Sequence, residues 1–138
     1  MAGAVLVDSN VILDVLTRDP RWYEWSAHTL EQCAEEAELF IDPIIYAEVS
    51  IGFARIEDLE EALPPESFRR SPLPWEAAFL AGKCFMRYRR RGGARVMPLP
   101  DFYIGAHAAV AGMTLLTRDA KRYRTYFPRL RLISPWPR

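Results

Sequence analysis

No stretch of this 138-residue sequence approaches the roughly 20 consecutive apolar residues that a bilayer-crossing helix requires, so no membrane-spanning segment is expected. Met1-Ala2-Gly3 supplies no basic region ahead of the first apolar run, so a secretory signal peptide is not expected either. Cysteine is scarce. Cys33 and Cys84 lie in helix-like amphipathic surroundings at no metal-ligand spacing, and read as small core hydrophobes in a reducing cytoplasm. Lysine is represented only by Lys83 and Lys121, and histidine only by His28 and His107, of which His107 reads as a hydrogen-bonded packing residue in an apolar helix. Repeats, low-complexity tracts and linkers are also lacking. What remains is a chain that is 50% hydrophobic and of a size to form one domain over residues 1–138, burying roughly two-thirds of its unfolded surface.

The net charge is zero, but its distribution is uneven. Residues 1–80 hold five arginines against sixteen acids, a balance of −11. Residues 81–138 hold eleven arginines, Lys83 and Lys121 against only Asp101 and Asp119, a balance of +11. Such asymmetry suggests a surface that faces a polyanion, unless the two halves interleave and their fields cancel.

Along the chain, residues 4–8 form a short apolar run followed by a turn, then by a helix capped near Ser9. Residues 23–38 predict an amphipathic helix and 39–41 a second strand. Asp42-Pro43 is an N-cap followed by a first-turn proline, opening the helix that carries Glu48. A short acidic helix over 57–63 stops at Pro64-Pro65, and a longer one over 75–91 ends at Gly92-Gly93. Asp101 opens a small-residue helix that ends near Gly112. A strand over 114–117, a helix over 120–127 and a last strand over 130–133 complete the chain. Strands alternating with helices imply a parallel sheet covered on both faces.

Four carboxylates stand alone at the edges of the most apolar segments: Asp8, Glu48, Asp101 and Asp119. A charge beside a hydrophobic core is costly unless it is paired, hydrogen-bonded or metal-bound. Each acid has a structural explanation of its own. Asp101 and Asp119 could be helix caps, Asp8 could bond its own turn, and Glu48, pointing inward with Ile44, Ile51 and Gly52 on its face, could meet a buried arginine. Asp8 and Asp119 fall at strand-to-helix junctions, where sites form in such sheets, Asp101 at a helix N-terminus and Glu48 about a turn and a half into its helix; their joint occurrence favours a shared cation. Oxygen donors without Cys or His suit Mg²⁺ or Mn²⁺ better than zinc. Asp14 is explained by an i,i+4 pair with Arg18.

The segments Leu6-Val7-Asp8-Ser9-Asn10, Pro43-Ile44-Ile45-Tyr46-Ala47-Glu48, Pro100-Asp101-Phe102-Tyr103-Ile104-Gly105-Ala106-His107 and Leu115-Leu116-Thr117-Arg118-Asp119 resemble, in this order, those of PIN-domain ribonucleases, most closely the VapC toxins of VapBC toxin–antitoxin pairs. The resemblance implies a three-layer α/β/α PIN-like fold and an acidic quartet, Asp8, Glu48, Asp101 and Asp119, that holds Mg²⁺ or Mn²⁺. It implies Asn10 bracing the site and Thr117 contributing its hydroxyl. It also implies a cytoplasmic endoribonuclease leaving 5′-phosphate and 3′-hydroxyl ends, a homodimer, and a VapB-like antitoxin whose arginine-containing tail enters the acidic site.

RNA would need a positive approach to such a site. Lys83, Arg87, Arg90 and Arg91 share a helix face, Arg95 follows in the next loop, and Arg122, Tyr123, Arg124 and Tyr126 flank Asp119. Guanidinium groups hold phosphates and aromatic rings stack unpaired bases, although these tyrosines could equally pack inward. Trp22 and Trp25 read either as core packing or as part of a partner groove. An aspartyl-phosphate phosphatase or phospho-receiver would need a strand-end lysine that neither Lys83 nor Lys121 provides. A non-catalytic PIN-like module accepting a basic partner segment in its acidic cleft is the remaining alternative.

Overall fold

The opening apolar run becomes strand β1 (Gly3–Val7), pairing with β2 (Ala37–Ile41) on one side and β4 (Thr114–Leu116) on the other, both parallel to it. Two-residue strands β3 (Arg69–Arg70) and β5 (Leu132–Ile133) close the edges, giving a five-stranded parallel sheet of order β3-β2-β1-β4-β5. The structure, a computed structural model, describes residues 3–95 and 99–135; Met1 and Ala2, on which the leader expectation rests, lie outside it. Val5, Leu6 and Val7 are all buried without alternation, as a central parallel strand covered on both faces requires.

Among the described residues seven helices flank the sheet: α1 (Ser9–Leu16), α2 (Tyr23–Glu36), α3 (Pro43–Ser50), α4 (Ile56–Ala62), α5 (Trp75–Arg90), α6 (Pro100–Ala111) and α7 (Lys121–Tyr126). The architecture is the expected three-layer α/β/α arrangement around a parallel sheet. Asp42 caps α3 by accepting Ile45 N at 2.9 Å, with Pro43 in the first turn, as its sequence predicts.

Boundaries move where pairing with distant strands outweighs local pattern. The helix expected to reach residue 38 stops at Glu36, because Ala37 and Glu38 enter the ladder opposite Gly3 and Ala4. β3 had no apolar signature to announce it; two exposed arginines form it by pairing with Phe40 and Ile41, and Arg69 meets Glu38 at 3.3 Å. The strand expected over 114–117 ends at Leu116, and that expected over 130–133 begins at Leu132.

Helix α6 packs against α5 and α7, and its small residues permit the close approach. A Cβ on Gly105 would lie 2.4 Å from the Phe127 ring. His107 is fully buried, with Nδ1 2.9 Å from Asp42 Oδ2 and Nε2 3.1 Å from Ser71 Oγ. It is the hydrogen-bonded packing residue expected, tying α6 to the start of α3 and to the segment after β3. Cys33 and Cys84 are buried free thiols. Trp22 and Trp25 are half-buried and meet edge to face at 6.4 Å, with the Arg118 guanidinium over the Trp22 ring. Because the sheet is parallel, β1, β2 and β4 end at one edge, from which Asp8, Asp42 and Thr117 emerge.

Candidate active site

Asp8 is the hub of this edge. It leaves β1 and itself caps α1: Oδ1 accepts Ser9 N at 2.8 Å, so Asp8 is the cap expected near Ser9. Oδ2 accepts the Thr117 hydroxyl at 2.9 Å and the Tyr123 hydroxyl at 3.0 Å. The side chain is almost wholly removed from water. Burial, then the neighbouring charge of Asp101, lifts its pKa from 3.8 to about 7 despite the hydrogen bonds from Thr117 and Tyr123, and Glu48 adds to the rise.

Glu48 and Asp101 lie near enough to act on Asp8, and Asp119 near enough to act on Asp101. Glu48 is half-buried on α3 and accepts the Ser9 hydroxyl through Oε1 at 2.7 Å, so its partner is a serine and no buried arginine. Its helix is less enclosed than expected: α3 ends at Ser50, and Ile51, expected on the inward face, is 85% exposed. Burial raises the Glu48 pKa, the Ser9 bond opposes this, and Asp101 and Asp42 reinforce it. Asp101 lies in the first turn of α6 but does not cap it; Leu99 holds that position without a side-chain bond. Asp101 Oδ1 faces the Tyr123 hydroxyl at 3.3 Å and Oδ2 faces Arg122 Nη1 at 3.5 Å, and burial still raises its pKa against both. Asp119 is not a cap either, since Ala120 precedes α7 without a side-chain bond. Its exposed side chain borders a cleft of about 340 Å³ that it shares with Asp101, Lys121, Arg122 and Tyr126.

Behind the acids lies a hydrogen-bonded frame. The buried Thr117 hydroxyl, besides bonding Asp8, accepts Asn10 Nδ2 at 3.3 Å and Asp119 N at 3.1 Å. Asn10 Oδ1 accepts Arg118 N at 3.1 Å. Asp14 belongs to this frame and not to an i,i+4 surface pair with Arg18. It is buried, bonded by Arg118 Nε at 2.7 Å and Nη2 at 3.0 Å and by Ser26 Oγ at 2.8 Å. The α1 helix ends at Leu16 and Arg18 has φ +52°, which breaks the helical spacing that an i,i+4 pair needs.

Two of the contacts were not anticipated. Ser9 joins Asp8 to Glu48, one through its backbone and the other through its hydroxyl. Tyr123, considered as a base-stacking ring, is 1% exposed and points its hydroxyl at Asp8 and Asp101; Tyr126 is buried as well. Burial, and then the facing carboxylates, push the Tyr123 phenol well above its usual range, so it stays a proton donor. The one local signal was its spacing, one helical turn beyond Asp119.

The basic residues separate. Arg122 reaches Asp101, and Arg87 and Arg91 lie over the Tyr126 ring at 5.4 and 5.6 Å, at the border of the cleft. Arg90 is exposed on α5, the Arg95 carbonyl accepts Arg89 Nη1, and Arg124 donates to Ser134 beyond β5 at 3.1 Å.

The donor set is of a hard-cation type: carboxylate oxygens, buried at Asp8, half-buried at Glu48 and Asp101 and exposed at Asp119, with Asp8 raised by burial and then by its acidic neighbours. Among the described residues, however, no three Asp, Glu, His or Cys side chains are drawn together tightly enough to hold a metal ion as they stand. The donors suit such an ion in chemistry, while their side chains as placed do not form its ligand set.

Residues 5–128 match the PIN domain family. No curated protein is significantly similar to the chain in sequence. Its fold is similar to that of a chain in VapBC2 from Rickettsia felis bound to a promoter DNA fragment, at TM-score 0.72 and 20% identity over 97% of this chain and 99% of that one. It is similar to a chain of VapBC-1 from nontypeable Haemophilus influenzae, at TM-score 0.71 and 20% identity over 95% and 97%. A chain of FitAcB from Neisseria gonorrhoeae gives TM-score 0.70 and 22% identity over 96% and 98%.

Proposed function

This chain belongs to the PIN-domain family, and from that premise we propose that it is a metal-dependent endoribonuclease of the VapC toxin type, held in check by a VapB-like antitoxin. The observation that carries the reading is Asp8, a buried carboxyl joined to Glu48 through Ser9 and to Asp101 through the Tyr123 hydroxyl. A cluster of repelling acids has no structural gain of its own and is relieved by a bound cation.

In this reading Asp8, Glu48, Asp101 and Asp119 hold Mg²⁺ or Mn²⁺. Bound there, such an ion lowers the pKa of a water and neutralises charge developing on a phosphodiester during in-line displacement. Ser9 and Thr117 orient Asp8, Ser9 orients Glu48, and Asn10 steadies Thr117. Arg122 is close enough to exchange Asp101 for an RNA phosphate, with Arg87 and Arg91 at the rim and Arg90, Arg95 and Arg124 as further phosphate contacts. Residues 1–138 act as a single domain: β5, beyond the matched residues, still completes the sheet. The chain works in the cytoplasm as a homodimer.

The test is cleavage of RNA in Mn²⁺ against EDTA, with Asp8→Asn as control. Cleavage abolished by EDTA and by the amide, leaving 5′-phosphate ends, supports the reading. Equal cleavage in EDTA, or an active Asp8→Asn enzyme, rejects it. A second reading is supported by the Asp101–Arg122 contact, which puts a guanidinium on one of these acids. It is a non-catalytic module accepting a basic partner segment, and it would show partner binding with no cleavage in any metal.

A further inference from the structure

We infer that Tyr123 is a positioning residue of the proposed metal site, whose hydroxyl decides which oxygen of Asp8 is offered to the cation. The inference rests on the metal-site reading above. Tyr123 is 1% exposed, and its hydroxyl faces the acids: Asp8 Oδ2 at 3.0 Å and Asp101 Oδ1 at 3.3 Å. It has one proton to give, and the shorter contact is to Asp8.

A carboxylate oxygen offers two lone-pair sites. Asp8 Oδ2 already accepts Thr117 at 2.9 Å, and Tyr123 takes the second place, so Oδ2 is filled. Among the described residues Asp8 Oδ1 accepts Ser9 N alone, at 2.8 Å, which leaves one site open. The Ser9 hydroxyl in turn occupies Glu48 Oε1 at 2.7 Å and leaves Oε2 free. The open positions of both acids are thus selected by donors behind them. Without the Tyr123 hydroxyl, Asp8 has two competing open oxygens and its link to Asp101 is lost. Partners of this kind behind a metal ligand are worth roughly 10- to 100-fold in affinity.

Mn²⁺ affinity of the full-length protein, read from free Mn²⁺ by electron paramagnetic resonance, tests this alongside Tm in EDTA. Tyr123→Phe keeps the ring and removes the hydroxyl, and Mn²⁺ binding weakens about tenfold. Tyr103→Phe, on α6 with no hydrogen bond to the acids among the described residues, leaves it unchanged. Should Tyr123→Phe not fold, Thr117→Val vacates the same Asp8 oxygen from the other side and shows the same loss. Binding within about twofold of the wild type in whichever of these folds, with only Tm lowered, reduces Tyr123 to a packing role and overturns the inference. Wild-type protein that binds no Mn²⁺ overturns the metal site itself, and this inference with it.

Discussion

Replacing Asp8 by asparagine removes a charge from the least tolerant position in the site, and the consequence for metal-free stability can be worked out. The folded pKa is about 7, and the ordinary value, which holds in the unfolded chain, is 3.8. Between those limits the native state holds a proton that the unfolded state has released. Stability therefore falls as pH rises through this window, and the loss is complete above pH 7. A gap of about 3 pK units corresponds to about 4 kcal/mol at 1.36 kcal/mol per unit. The amide of the variant has no charge to release and escapes this loss. In EDTA, Asp8→Asn is expected to gain on the wild type by about 4 kcal/mol between pH 4 and pH 8, of order 10 °C in Tm, with little gain at pH 4. Mn²⁺ at pH 8 should reverse the order, stabilising the wild type and leaving the variant unmoved. Urea denaturation of both proteins across pH 4–9 provides the measurement. A stability difference that does not vary with pH would refute the argument that Asp8 is an uncompensated buried acid.

Arg118→Met should cost about 3 kcal/mol in denaturation experiments, because it leaves the Asp14 carboxylate buried with only Ser26 as a side-chain partner; a loss below about 0.5 kcal/mol would show that the pair contributes nothing. Replacing Arg90 and Arg91 together by alanine should weaken RNA binding and flatten its dependence on log salt by about 1.4, or about 0.7 per phosphate contact on a single strand. An unchanged slope would remove both from the RNA path.

Much of the site was legible because its signals are local. An apolar run with no alternation marks a central parallel strand, and an acid directly after it must lie at the carboxyl edge, which places Asp8. Asp42-Pro43 announces α3 and so fixes the turn on which Glu48 sits, and Thr114–Leu116 brings Thr117 to the same edge. The explanations of Asp101 and Asp119 as caps were equally local, and they fail because Leu99 and Ala120 occupy the cap positions. A shift of one residue in a helix start decides this, and side-chain type alone does not specify it.

The sequence by itself determined the sheet strands with a hydrophobic signature, the helices between them and the order in which the four acids follow these elements. These follow from periodicity, caps and turn chemistry acting over a few residues. The tertiary structure alone decided what each acid touches. Thr117 and Tyr123 reach Asp8 from 109 and 115 residues away, Arg118 reaches Asp14 from 104, and β3 exists only because β2 offers it a ladder. Hydrogen-bond direction and desolvation depend on atoms that chain proximity does not bring together. Whether an acid is a cap, an ion-pair partner or one of a set of mutually repelling carboxylates is therefore settled only when the parallel sheet closes.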